Sequence, residues 1–379
     1  RKIGYTVFKS GWEPDDFAFV MKTGPFFNHC HFDQGTFWLA DRGTIILEER
    51  HGSTYDNTPY YRPWYTKPIA HSTILVNGNH QSQRGGDPAE FAEGFDEFAF
   101  VGHFLDGRFA AFSSGDIGRL YWGEVSDLKR NVLYLKPRTL LMLDTAVPPA
   151  SGADVDVTVL YQTTYMKDII AGSRTSTVTK DGTVLSILHL APEQAEIKTV
   201  QTPHYYYTLR NTKPLVKEGM LTVTARTNQN PLVIGNLHTT HEAGAVEASI
   251  VQGDGFVSGK AEGVSFAFTT RPDFVYETGG FTTDATAISW DGDTVFAAMS
   301  RIVRKDGAVL IESGEPVTCE IRPGDVKYYV ERDSEAAIGA VTKPSAVLVS
   351  GKARTFRWDN ERRAAVVILP AGEGTVTMK

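Results

Sequence analysis

Hydrophobic positions along this chain fall in short alternating runs. Thr36-Phe37-Trp38-Leu39-Ala40, Gly43-Thr44-Ile45-Ile46-Leu47, Thr73-Ile74-Leu75-Val76 and Asn131-Val132-Leu133-Tyr134-Leu135 are rich in β-branched or aromatic residues and end at turn-forming ones. This pattern predicts strands. It continues through Val155 to Leu160, Val184 to Leu188, Leu221 to Ala225 and Val264 to Phe268. Between the runs stand Asn77-Gly78, Asp106-Gly107, Asp181-Gly182, Asp254-Gly255, Asp291-Gly292 and Asp306-Gly307, dipeptides that tolerate the positive φ of tight hairpins. No stretch of a dozen residues follows a 3.6-residue period. Short helical turns are expected only around Pro88 to Phe95 and Pro192 to Ile197.

The last hundred residues form a denser series of short strands: Ile288 to Met299, Ala308 to Ile311, Val317 to Ile321, Val326 to Val330, Ala346 to Val349, Thr355 to Trp358 and Ala364 to Leu369. Such spacing fits a small sandwich. The fold class is therefore all-β: a large two-layer antiparallel β-sandwich over residues 1–275, then a smaller C-terminal β-sandwich over residues 276–379. Sheets of this kind stack face to face, because each has one face to bury.

With 379 residues, 41% hydrophobic and 22% charged, the chain can build its core without disulfides or metals. A net charge of −7 speaks against a nucleic-acid partner, which would need a basic footprint. It leaves room for a polyanionic sugar met by local Arg, Lys and neutral donors. No apolar run is long enough for a membrane helix. Cys30 and Cys319 are the two cysteines, too few for a disulfide framework or a CxxC zinc site, though one long-range bridge between them remains open. The opening residues Arg1-Lys2-Ile3-Gly4 carry no signal-peptide pattern, and a strand-like segment follows at once, as if the chain began inside a longer protein.

Candidate chemistry gathers in Asn28-His29-Cys30-His31-Phe32-Asp33. If that segment is extended, His29, His31 and Asp33 share one face, about 6.8 Å apart per pair. Two imidazoles so placed can serve one metal, or one can bind metal while the other handles protons. Asp33 then suits a carboxylate that orients a ligating histidine. Glu48 and Glu49 follow the next strand. After them come Tyr60-Tyr61-Arg62-Pro63-Trp64-Tyr65 and Ile69-Ala70-His71-Ser72-Thr73. Two histidines and a carboxylate from three neighbouring strands make a compact zinc site with N and O donors. His238-Thr239-Thr240-His241 is an i, i+3 pair in surroundings that are not helical, so it reads as structural or solvated.

The ordered set His29-x-His31-x-Asp33-x-Gly35-x-Phe37, a strand ending in a carboxylate, an aromatic loop and Ala70-His71-Ser72-Thr73 resembles the central β domain of heparinase II/III-like polysaccharide lyases. The resemblance covers roughly residues 1–80; beyond them only the β texture agrees. Here Glu48 or Glu49 stands where that family has Asp, and Ser72 where it has Asn.

The resemblance implies β-elimination on a uronic-acid polysaccharide of alginate or heparan type, with secretion or a periplasmic location. In that family a preceding (α/α) toroid usually supplies a catalytic Tyr and an Asn or His for the uronate carboxylate; within this chain His29 is the candidate to transfer a proton or neutralise the substrate carboxylate, and Tyr60 or Tyr61 is the tyrosine candidate of the β domain. Arg62 and Trp64 would bind substrate. His31, His71 and Glu48 or Glu49 would hold a structural zinc. It also implies a partner: an N-terminal (α/α) toroid domain or chain that completes the active site.

Two other readings use the same residues. His29-x-His31-x-Asp33 also begins the metallo-β-lactamase-like signature of metallo-hydrolases, but Gln34 replaces its last histidine, and that fold needs outer helices. Aromatics such as Trp64 and Tyr65, if exposed, would suit a non-catalytic carbohydrate-binding sandwich.

Overall fold

The computed structural model describes residues 4–25, 31–48, 64–78, 99–121, 123–163, 168–202, 207–208, 211–212, 218–227, 231–242 and 248–379. Among these, the chain is almost wholly antiparallel strand, as its alternation predicts, with no α-helix. It divides into two compact units: Arg1–Val101, Ser114–Val132 and Pro137–Val246 in the first, and Gly102–Ser113, Leu133–Lys136 and Glu247–Lys379 in the second.

Three larger sheets and one two-stranded ladder, Tyr207–Thr208 with Asn211–Thr212, carry the strands of the first unit. Tyr5–Lys9, Ala18–Lys22, Phe37–Asp41 and Thr44–Leu47 form a four-stranded meander. Its strands alternate buried and open positions, so one face is packed and the other is not. A second four-stranded sheet runs Glu196–Thr202, Glu218–Arg226, Asp156–Thr163, Ile74–Val76. An eight-stranded sheet carries Leu232–His241 beside Thr139–Val147, with Asp127–Leu135 next. Leu232–His241 is buried along nearly its whole length, which identifies a strand covered on both faces.

One ring from each of the three larger sheets meets in the core. Phe37 packs edge-on to Tyr161 at 5.7 Å and to His238 at 6.5 Å between ring centroids. His238 Nε2 lies 3.3 Å from the Tyr161 hydroxyl. A three-residue separation on a strand puts two side chains on opposite faces. Accordingly His238 is buried, whereas His241 bonds Ser186 Oγ at 2.9 Å near the strand end.

Several turns behave as expected. Asn77-Gly78, Asp181-Gly182 and Asp306-Gly307 adopt positive φ at both residues. Asp106-Gly107 does not; Gly107 is required for another reason, since a Cβ there would lie 2.5 Å from Glu320 Oε2 and 2.8 Å from the Ala110 carbonyl. Of the helical turns expected over Pro192 to Ile197, one turn forms, closed by Ala195 N–H to the Pro192 carbonyl, and the strand Glu196–Thr202 takes over from there. Pro88 to Phe95 lies outside the described residues.

The sheet of the second unit begins with Ala248–Gln252, Phe256–Ala261 and Val264–Thr269, the last paired with Ala287–Asp291. These first three strands fall before the division at 275/276 read from the sequence. A long hairpin, Thr294–Lys305 with Ala308–Arg322, is broken by register shifts near Ser300. Asp284 Oδ1 accepts the N–H groups of Arg301 and Ile302 at 2.8 and 2.9 Å there, replacing partners that the bulge removes. Cys319 is a free thiol inside this unit's core, where burial pushes its pKa up to about 12. Cys30 lies outside the described residues.

Burial, with a smaller push from His189, holds His238 neutral and lowers its pKa to about 3. The unfolded chain takes up this proton near pH 6.5. Between the two values only the unfolded state is protonated, so stability falls as pH drops from about 6.5 towards about 3. Urea midpoints measured from pH 7 to pH 4 should decline, and the decline should be shallower in His238→Phe. Equal slopes in the two proteins would exclude His238 as the source.

Candidate functional site

The candidate site of the first unit is two loops held side by side. His31 to Thr36 leads into the strand Phe37–Asp41, and Trp64 to Thr73 leads into the strand Ile74–Val76. His31 to Thr36 is irregular, so the extended geometry expected to align His31 with Asp33 is not formed. Two hydrogen bonds lace the loops together: Phe32 N–H to the Thr66 carbonyl at 2.9 Å, and Thr73 Oγ1 to the Gln34 carbonyl at 2.6 Å. Each loop is also tied to a neighbouring strand. Asp33 receives Lys22 Nζ at 2.7 Å on both carboxylate oxygens, and Gln162 N–H donates to Ser72 Oγ at 3.0 Å.

The strongest tie lies beneath them. Arg130 and Asp144, on adjacent strands of the eight-stranded sheet, are a fully buried ion pair with Nε–Oδ1 at 2.7 Å and Nη2–Oδ2 at 2.9 Å. Arg130 Nη1 donates to the Gly35 carbonyl at 2.6 Å and the Ser72 carbonyl at 3.2 Å, one from each loop. The guanidinium also sits over Phe37, 5.2 Å from the ring centroid. Gly35 has φ +78°, and a Cβ there would approach Ile117 Cδ1 to 3.0 Å. A side chain would be strained at this point, where the carbonyl must turn towards Arg130.

This clamp places the rings of His31 and His71 5.2 Å apart between centroids, tilted by 51°. His71 is fully buried, and its Nε2 lies 3.0 Å from the Tyr65 carbonyl oxygen. A carbonyl only accepts, so in the neutral ring Nε2 carries the proton and Nδ1 the lone pair. Metal-ligating histidines are commonly held by such a bond from their second nitrogen. Zn–N bonds of about 2 Å at a tetrahedral ion would put two imidazole centroids about 5 Å apart. The separation of the His31 and His71 rings matches that distance.

A third donor is not assembled among the described residues, where no group of three His, Cys, Asp or Glu comes together. Glu48 is partly buried with Oε1 3.5 Å from Lys180 Nζ. Glu49 lies outside the described residues, as do His29, Tyr60, Tyr61 and Arg62. Trp64 is half-buried, and its indole N–H meets no acceptor among the described residues, a state that calls for a partner. Tyr65, which the carbohydrate-binding reading requires to be exposed, is buried. The outer helices needed by a metallo-hydrolase of the metallo-β-lactamase type do not occur among the described residues.

Arg130 and Asp144 were not singled out from the sequence. Their signal was present: Asp144 ends the apolar run Leu140-Leu141-Met142-Leu143, and Arg130 stands just before Val132 to Leu135 in a strand. A charge inside an apolar strand announces a buried partner.

Residues 1–99, which hold both loops, match the family model described as Heparinase II/III-like, C-terminal. This agrees with the resemblance carried by the motifs. A heparin-sulfate lyase from Bacteroides stercoris is 30% identical over 86 residues, 22% of this chain and 13% of that protein. The crystal structure of heparan sulfate lyase HepC from Pedobacter heparinus aligns with 69% of this chain and 40% of its own, at TM-score 0.56 and 17% identity. A heparinase III crystal structure aligns with 71% of this chain and 42% of its own, at TM-score 0.53 and 11% identity. The solved lyases share the fold, and this chain spans less than half of their length.

Removing the Asp144 carboxylate leaves Arg130 buried and uncompensated. Asp144→Ala should lose about 3–5 kcal/mol of stability in urea denaturation. The double variant Arg130→Met, Asp144→Leu should recover part of that loss, because it removes both charges. Its Gly35 and Ser72 carbonyls still lose their donor, so amides of residues 71–73 should exchange faster than in the parent. Unchanged exchange would show that the clamp does not hold the loops.

Proposed function

We propose that this chain, heparinase II/III-like over residues 1–99, is the β-sheet part of a polysaccharide lyase that cleaves a uronic-acid polysaccharide by β-elimination. The observation that carries the proposal is the His31–His71 pair, 5.2 Å apart on two loops clamped by one buried arginine. So much organised structure around two imidazoles is expected where their positions matter chemically. The names of the relatives support a sulfated or carboxylated polysaccharide as substrate.

The reaction removes the C5 proton next to the uronate carboxylate, forms the C4–C5 double bond and releases O4 with a proton. Its difficulty is the charge that develops on the carboxylate side as the proton leaves. That charge must be neutralised while a base and an acid stand at C5 and O4. In this proposal His29 transfers the proton or neutralises the carboxylate, and Tyr60 or Tyr61 supplies the phenol. Arg62 pairs with a substrate carboxylate. Trp64 offers its ring face to a sugar. His31, His71 and Glu48 or Glu49 would hold a zinc ion, whose contribution when bound is to brace the floor of the groove.

In this proposal a preceding (α/α) toroid domain or chain completes the site; a family model described as C-terminal and solved lyases more than twice as long as their aligned part support a further region. Secretion or a periplasmic location follows from the class of substrate. Among the described residues no helix is long and apolar enough to cross a membrane.

The test uses the intact protein and follows the ultraviolet absorbance of the unsaturated product. His29→Ala should abolish product formation and leave zinc content unchanged. His71→Ala should lose the metal and lower the melting temperature. Near-normal product formation by His29→Ala would refute its assignment. Assaying the present chain alone should give no product, and adding the preceding region should restore it.

A further inference from the structure

The second unit contains an open cleft of about 940 Å³ assembled where several turns converge. The Asp306-Gly307 hairpin turn, the Pro323-Gly324 turn, the Val341 to Pro344 segment and the turn bearing Arg362 and Arg363 form its sides. Val309, Ile321, Val326 and Ile338 line its apolar part. Gly339 lets two strands approach closely there, since a Cβ would fall 1.7 Å from the Val309 carbonyl oxygen.

The cleft reverses the charge of the chain. The protein carries a net −7, yet the cleft has Arg304, Lys305, Arg322, Lys343, Arg362, Arg363 and Lys379 against only Asp293 and Glu361. Four of these cations are engaged. Arg304 Nε lies 2.7 Å and Arg362 Nε 3.5 Å from Glu312, Arg322 is 2.9 Å from Asp325, and Lys305 is 4.0 Å from Asp293. Lys343, Arg363 and Lys379 have no side-chain carboxylate within salt-bridge distance among the described residues. One Arg363 nitrogen donates to the Val341 carbonyl, leaving the rest of its fork of donors for a ligand.

We propose that this cleft is a second, non-catalytic binding site for an anionic oligosaccharide, with Lys343, Arg363 and Lys379 receiving carboxylate or sulfate groups. Unneutralised cations in a concave wall focus the field and raise the local concentration of anions. A single small anion would fill little of 940 Å³, so the space fits several linked sugars. The lining holds no aromatic side chain, which removes the stacking platform that single-stranded nucleic acid uses. Asp293 and Glu361 are acceptors suited to sugar hydroxyls, whereas a phosphodiester backbone brings only acceptors to meet them. The aliphatic part accommodates the C–H faces of sugar rings. This argument uses only the cleft and does not depend on where, or whether, elimination occurs.

The test is site-resolved lysine acetylation of the whole chain at low salt, with and without a probe. The probes are a heparin hexasaccharide, an alginate hexasaccharide that carries carboxylates alone, and an oligothymidylate of matched charge. Lys343 and Lys379 should be shielded by at least one saccharide and left reactive by the oligothymidylate. The saccharide that shields them tells sulfate from carboxylate recognition. Lys343→Gln with Lys379→Gln should weaken saccharide binding at this site about tenfold or more, read as lost protection of Glu361 and Arg362 from hydroxyl-radical footprinting. This pair leaves the Arg363 bond to Val341 intact, and an unchanged melting temperature confirms its fold. Adding Arg363→Gln should weaken binding further. His71→Ala should leave the protection unchanged, separating this site from the proposed lyase site. Equal lysine reactivity with and without saturating saccharide, or equal shielding by oligothymidylate, would overturn the proposal.

Discussion

Arg130 and Asp144 are both withdrawn completely from water, and the arrangement of the first unit follows from how their charges are satisfied. A buried ion is tolerated only when its partner and all its hydrogen-bonding directions are provided for. The two carboxylate oxygens take Nε and Nη2, and the carbonyls of Gly35 and Ser72 take Nη1. Moving either loop would strand a donor in a medium where no water replaces the lost acceptor. The penalty for burying charge thus becomes positional restraint on two segments far apart in sequence.

Seen from that clamp, the residues around the histidines divide by task. Asp33 closes on Lys22, Gly35 turns its carbonyl to the arginine, Phe37 lies beneath the guanidinium, and Thr73 ties one loop to the other. These side chains hold the scaffold, and the His31–His71 pair is what the scaffold presents. The bond between His71 Nε2 and the Tyr65 carbonyl belongs to the same design, since it selects the tautomer. Phe37 extends the arrangement inward by meeting Tyr161 and His238. The loops therefore rest on the same packed aromatic core that joins the three larger sheets.

The second unit handles charge differently. The cations of its cleft lie at strand ends and turns on an open surface, where they remain solvated and answerable to salt. Its core is a continuous apolar cluster that includes Cys319 and Tyr328. The contrast between a buried, fully paired arginine in one unit and open, partly unpaired ones in the other explains why the net charge says little about what each surface can bind.

Local sequence determined the class of structure. Alternation along the chain places the strands because a strand exposes alternate faces, and Asn-Gly and Asp-Gly place turns because few other residues accept positive φ. The same local reading found the two histidines that the structure brings together and the ordered motifs of residues 1–80. It did not see that the strand starts already at Glu196, imposed by pairing with Glu218–Arg226, and it left open the exposure of Tyr65, whose burial follows from packing rather than residue type. It did not reach the Arg130–Asp144 pair, because one charge within an apolar strand does not name its partner. Nor did it reach the basic cleft, whose residues are spread from position 293 to 379. Both features join positions without local periodicity, and only the folded arrangement of strands brings such positions within reach of a hydrogen bond or a shared field.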